Sequence, residues 1–298
     1  MLLDNPTLIQ SGPAAAAPLF LLHDGGGTIF NYFMLGDLDR PVYGIQDPKF
    51  GSAEQWEGGM EEMARLYISF IRAAVPQGPI LLGGWSLGGL TALEIARILA
   101  GEATGLQLRG LILIDSPQPE EWANHRDRFC DADVWVTETT SAKTKQAVDW
   151  RMDECDRLLD GWRAPRWQQP RPRGGRAEPP GSLTQRAHGL LRHNILGRAP
   201  PPPELLVAGS PPPVVLLRAT DRVPVPAGSK PGSLVDVDLH RDSTQLGWDR
   251  LEYPLLHAVY DIPGHHFDLF EGYDRANVRA QLEKVTELLG RIYREMDV

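Results

Sequence analysis

Cysteine is scarce in this chain: Cys130 and Cys155 are the only two among 298 residues. That excludes a disulfide-built secreted scaffold, and neither cysteine stands in a metal-ligand spacing, so no metal is expected. The usage suits a reducing cytosol, and a cytoplasmic location is the expectation. Positive charge is short as well. Thirty Lys and Arg face 39 Asp and Glu, for a net charge of −9 and a pI near 5.4. A nucleic-acid binder would show the opposite balance. Long apolar runs are missing: none approaches the roughly 20 residues that span a bilayer, which excludes a membrane helix. The N-terminal MLLDNPTLIQ has an early acid and no basic n-region, so no secretory signal is expected.

What is present is alternation. PLFLLH (18–23), PVYGIQ (41–46), PILLGGW (79–85) and LRGLILID (108–115) are short apolar runs bounded by Gly, Pro or Asp. Strands buried on both faces of a parallel sheet read this way. Between them, residues 57–75 and 88–100 carry apolar side chains at helical steps. Residues 1–17 read as a loose lead-in. After Pro117 the pattern lapses. Residues 120–162 are polar and helical in pieces, and 163–181 and 199–213 are rich in proline. VVLLRA (214–219) and LHAVYDI (256–262) resume the sheet, and a final amphipathic helix is expected over about 274–294. The chain therefore reads as one α/β domain, 18–298, with a mostly parallel sheet flanked by helices and an insertion over about 118–205.

GGWSLGG (83–89) places Ser86 between a predicted strand and a predicted helix. G-x-S-x-G in that context is a nucleophile elbow, a sharp turn that exposes the serine above the sheet. The Leu87 N–H, opening the helix, is placed to stabilise an oxyanion. A nucleophilic serine needs a base and a group to orient it. Eight histidines are available. His266, in PGHHFDLFEG after the last predicted strand, stands where a Ser–acid–His order places its histidine, with His265 as competitor. His23 reads as structural, and His125, His188, His193, His240 and His257 as surface or core residues. Asp115 and Asp221 both end predicted strands, the edge where open α/β sheets build sites, and both are candidate acids. HDGGGT (23–28) supplies glycine backbone amides for the other half of an oxyanion hole. It is no dinucleotide fingerprint, because Phe30 stands where its third glycine would be.

In this order, HDGGGT, GGWSLGG, LILIDSP and GHHFDLF resemble the thioesterase domains of polyketide synthases and nonribosomal peptide synthetases. LGWDR (246–250) adds a likeness to fungal members. The resemblance covers about 17–118 and 213–293. It implies an α/β-hydrolase fold with a helical lid between acid and histidine. The substrate implied is an acyl chain held as a thioester on the phosphopantetheine of an acyl or peptidyl carrier protein, with no further cofactor. The family's acid follows the strand after the elbow, which selects Asp115 over Asp221. Its G-x-H-[FY] pattern falls on Gly264, His265, His266 and Phe267, which selects His266. The second oxyanion amide falls on Gly25, with Asp24 as the near alternative. The chain departs from the family at His265, where Asp or Asn is usual.

The expected chemistry is a Ser86–His266–Asp115 triad that forms an acyl-enzyme and releases it by hydrolysis or cyclisation in secondary-metabolite biosynthesis. The alternatives are a Claisen/Dieckmann-type or lactone-forming cyclase, a carboxylesterase, and a non-catalytic carrier-binding module. No carrier or synthase domain is visible, and the expectation is either action in trans on a separate synthase or an excised domain. Arg163, Arg166, Arg171, Arg173 and Arg176 form a cluster free of acids. It reads either as a solvated insertion or as a patch for an acidic carrier.

Overall fold

The computed structural model describes residues 4–132, 140–167, 211–270 and 291. Seven strands form one sheet: β1 (Thr7–Gln10), β2 (Leu19–Leu22), β3 (Val42–Ile45), β4 (Gly78–Trp85), β5 (Leu106–Ile114), β6 (Val214–Ala219) and β7 (Ala258–Ile262). Their spatial order is β1-β3-β2-β4-β5-β6-β7. Every pairing is parallel except β1 with β3.

The apolar runs follow from burial on both faces. Phe20, Leu22, Ile80, Leu82, Leu111, Leu113, Val214 and Leu216 point to one face. Leu19, Leu21, Leu81, Ile112, Ile114, Val215 and Leu217 point to the other. This is the two-residue alternation of a strand, with an apolar residue required at each step. The first face is covered by α1 (Gly59–Ala74) and α2 (Leu87–Gly101). In α1, Met60, Met63, Ala64, Tyr67, Ile68 and Ile71 are buried, a stripe at three- and four-residue steps.

Residues 7–10 correct the reading of 1–17 as a loose lead-in. TLIQ is edge strand β1, antiparallel to β3 and four residues long. An edge strand that short gives little sequence signal. Within the segment expected as an insertion, α3 (Ala142–Gly161) is a twenty-residue helix capped by Ser141, whose hydroxyl accepts from the Thr144 N–H at 3.1 Å. Its buried residues are Arg151, Glu154, Cys155, Leu158 and Leu159. Ion pairing anchors it as much as apolar contact. Buried Arg151 bonds Asp47 at 2.9 Å, and Glu154 accepts the Trp56 N–H at 2.7 Å. Apart from residue 291, the expected helix at 274–294 lies outside the described residues, as do 133–139 and 168–205 of the expected insertion. Among the described residues, no helix is long and apolar enough to cross a membrane.

The exposed side of α3 carries a local excess of acid. Burial pushes the Asp156 carboxyl up to about 6, helped by Asp236, Asp153 and Asp160 and opposed by Arg126. A carboxylic acid whose folded value lies above its ordinary 3.8 loses stability on ionising. That cost is absent below the ordinary value and complete above about pH 6. Asp156→Asn is therefore expected to stabilise the protein at pH 8. After screening by solvent the gain is about 1 kcal/mol or less, or roughly 2–4 °C at most in Tm. The gain should vanish at pH 3.5, which thermal melts at the two pH values would check.

Candidate active site

Ser86, immediately before α2, holds a conformation that few serines adopt, φ 56 and ψ −122. The strand–turn–helix junction forces it. A Cβ at Gly84 would stand 2.5 Å from the carbonyl carbon of Gly88. One at Gly88 would stand 2.4 Å from the Leu22 carbonyl oxygen. Neither backbone can retreat, so only glycine fits at both places. Ser86 is pinned by its own main chain: its N–H donates to the Ile114 carbonyl at 3.0 Å, and its carbonyl accepts from Gly89. Leu87, the first residue of α2, has an N–H with no acceptor inside the helix.

Register places the candidate acid beside the elbow. Trp85 pairs with Ile114 in the parallel ladder, so Ser86 and Asp115 both leave the carboxyl edge of neighbouring strands. Asp115 takes a positive φ of 43° there. Its carboxylate is fully buried, and it accepts from His266 Nδ1 at 2.8 Å. His266 follows β7 and Gly264 (φ 99°). The Trp85 ring lies 5.2 Å from the imidazole, so the residue before Ser86 packs directly on His266.

Three further donors hold Asp115. The Ala219 N–H reaches Oδ1 at 2.8 Å, and Arg241 donates to Oδ1 at 2.7 Å and to Oδ2 at 2.9 Å. Burial alone would raise this carboxyl. The Arg241 charge, with hydrogen bonds from His266 and Arg241, outweighs it and holds Asp115 well below the usual carboxylate range. No sequence motif marks Arg241. LGWDR also serves this corner. The Trp248 indole donates to the Ser116 carbonyl at 2.8 Å, and the Leu246 carbonyl accepts from Gln118 at 3.0 Å.

The alternatives lie elsewhere. Asp221 is exposed, its carboxylate accepting from Thr220 Oγ1 at 3.1 Å. The His265 ring turns to its own loop, where Nδ1 accepts the Phe267 N–H at 3.3 Å. His23 is buried beneath the glycine loop, with Nε2 2.5 Å from the Tyr67 hydroxyl. Gly25 lies under α3: a Cβ there would stand 3.0 Å from Met152 Sδ and 3.1 Å from Cys155 Sγ. Burial pushes the neighbouring Asp24 carboxyl up, opposed by His23, by the Gly26 and Thr28 amides and by His266. A cavity of about 240 Å³ opens between the 119–129 segment and α3, with Asp236 on its wall. A larger one, about 1120 Å³, is bounded by α1, α2, the end of α3 and residues 250–253, and holds none of these site residues. Of the arginine cluster, Arg163 and Arg166 are exposed. Arg171, Arg173 and Arg176 lie outside the described residues.

Comparison with known proteins shows the family. The family model "Thioesterase domain" matches residues 17–138. The thioesterase frbE of Dothideomycetidae sp. (strain 11243) is 33% identical over 98% of this chain and 98% of its own length. The probable thioesterase gloN of Glarea lozoyensis is 35% identical over 97% of this chain and 98% of its own. Among solved structures, the NocB thioesterase domain in covalent complex with a fluorophosphonate nocardicin G analogue superposes with a TM-score of 0.57 at 23% identity, covering 92% of this chain and 95% of that one. A four-domain nonribosomal peptide synthetase bound to AMP and glycine gives a TM-score of 0.55 at 20% identity, covering 95% of this chain and 20% of that one. The likeness to these structures is one of fold, the mostly parallel sheet of the α/β-hydrolase type. The likeness in sequence runs nearly end to end at 33–35% identity, and on that ground the chain belongs to the thioesterase family, hydrolases acting on thioester bonds.

Proposed function

We propose that this thioesterase releases an acyl chain, polyketide or peptide, from the phosphopantetheine arm of a carrier protein in secondary-metabolite biosynthesis. The single observation that carries the reading is the buried 2.8 Å contact of His266 with Asp115, reached from the strand beside the strained Ser86. With Nδ1–H donated to Asp115, His266 offers Nε2 as base. Nε2 takes the Ser86 hydroxyl proton as Oγ attacks the thioester carbonyl. The Leu87 and Gly25 amides receive the oxyanion. The carrier thiol departs with the proton from His266, leaving acyl-Ser86. Water, deprotonated by the same imidazole, then releases the acid, or a nucleophile within the chain closes a ring.

The fold of NocB and of the four-domain synthetase supports a carrier-bound substrate. Intact-mass spectrometry tests the reading after incubation with acyl-pantetheine thioesters and acylated carrier proteins, with the products separated in parallel. A transient acyl adduct on Ser86 and a free acid are expected. A ring product with the same adduct would instead make the enzyme a cyclase. Good turnover of simple esters with none of carrier-bound thioesters would overturn the proposal in favour of a carboxylesterase. Carrier binding without any adduct or turnover would mark a non-catalytic module.

A further inference from the structure

The triad reading leaves one buried cation unexplained, and this inference rests on that reading. We infer that Arg241 is a positioning residue that fixes the Asp115 carboxylate in the orientation serving His266 and supplies the charge balance of the buried pair. The hydrogen-bond inventory carries it. Asp115 Oδ1 accepts from Arg241 Nη1 and from the Ala219 N–H. Oδ2 accepts from Arg241 Nη2 and from His266 Nδ1. A carboxylate offers about four acceptor positions, and all are taken, so rotation about the last side-chain bond would break several bonds at once. Arg241 is equally spent. Nε donates to Asp238 Oδ1 at 2.8 Å, Nη1 also reaches the Ala219 carbonyl at 2.8 Å, and Nη2 the Val237 carbonyl at 3.4 Å. A planar fork with five donors meets this demand; a lysine ammonium cannot.

Charge argues the same way. Asp115, Asp238 and Arg241 are all buried and in direct contact. Two carboxylates and one guanidinium leave a net charge of −1, which becomes zero when His266 accepts the serine proton. Without Arg241 the pair would carry −2 out of water, and one acid would take up a proton. A protonated Asp115 holds an imidazolium poorly. The other charged groups that face His266 are Asp24, from the loop after β2, and Asp236, both acids. Arg241 is therefore the cation that counters the acids around the base among the described residues.

The experiment separates fork from charge. Arg241→Lys keeps the charge and loses the fork. It is expected to lower kcat about tenfold while the acid limb of the kcat/KM profile stays in place. Arg241→Met with Asp238→Asn removes the cation together with its second acid. The two losses oppose each other at His266, but the cation is bonded to the acid that His266 touches and Asp238 lies one step further out, so the acid limb should move upward by a fraction of a pH unit. Asp238→Asn alone keeps the cation and should move the limb downward. A purely structural arginine would lower activity in all three without moving the limb in opposite directions, and that outcome overturns the inference, as does full kcat in Arg241→Lys. If the double variant does not fold, Arg241→Lys and Asp238→Asn decide. Persistent acylation of Ser86→Ala would instead reject the triad itself, a result independent of these variants.

Discussion

Ser86→Ala is expected to remain folded and to lose the acyl adduct completely, with turnover of a pantetheine thioester falling by about 10⁶-fold. The fold has little reason to object. The Ser86 side chain makes no capping bond to α2, and the main-chain bonds to Ile114 and Gly89 are indifferent to the hydroxyl. Alanine and serine meet similar strain at φ 56. The loss is therefore chemical: His266 would have no hydroxyl to deprotonate and the thioester no nucleophile. What survives is the slow attack of water helped by oxyanion amides. Thermal melting should show an unchanged Tm, and intact mass after substrate should show the unmodified chain. An adduct on Ser86→Ala would move the nucleophile to another residue and reject the elbow assignment.

How much of this was legible in the sequence depended on how local each cause is. The central strands are legible because both of their faces are buried, so PILLGGW and LRGLILID contain nearly uninterrupted apolar residues. The elbow is legible because one of its steric causes, Gly84 against Gly88, lies within five residues and leaves the G-x-S-x-G pattern, although the other, Gly88 against Leu22, is distant in sequence. β1 is not, since four residues on an edge carry almost no periodic signal. α3 is legible only as helix in pieces, because two of its buried positions are Arg151 and Glu154. Their partners stand 104 and 98 residues away. Arg241 is the extreme case: it meets Asp115 across 126 residues, and nothing in DVDLHRD announces the contact. The choice between Asp115 and Asp221 was equally closed to local reading. Both end strands, and strand order alone would favour Asp221, since β6 is the neighbour of β7. What separates them is the side chain of His266, whose Nδ1 lies 2.8 Å from Asp115 while Asp221 stays exposed.

That choice yields the second large effect. Asp115→Asn is expected to lower kcat about 10⁴-fold, the size of a lost triad acid, while Asp221→Asn stays within a few fold of wild type. The inventory explains the asymmetry. Each Asp115 oxygen accepts from two donors, so an asparagine amide placed either way turns its NH₂ against N–H groups: Ala219 and Arg241 on one side, His266 and Arg241 on the other. The imidazole loses its orienting acceptor, and Arg241 loses half of a buried ion pair. Stability falls too, by about 3–5 kcal/mol, because a buried charge is left short of its partner. Part of that loss is specific to pH. The native carboxyl lies below its ordinary 3.8, so its contribution is present above that value and disappears as pH falls through the lower native one. The Tm gap between wild type and Asp115→Asn should accordingly be wide at pH 7 and narrower at pH 3. Asp221 has no such stake. Its carboxylate is exposed and its structural bond, to the Gly264 carbonyl at 2.8 Å, comes from the main chain. Rates must be scaled to the folded fraction, measured by circular dichroism on the same samples. Folded Asp115→Asn with full turnover, beside an inactive Asp221→Asn, would transfer the acid to Asp221 and remove the partner that Arg241 is inferred to hold.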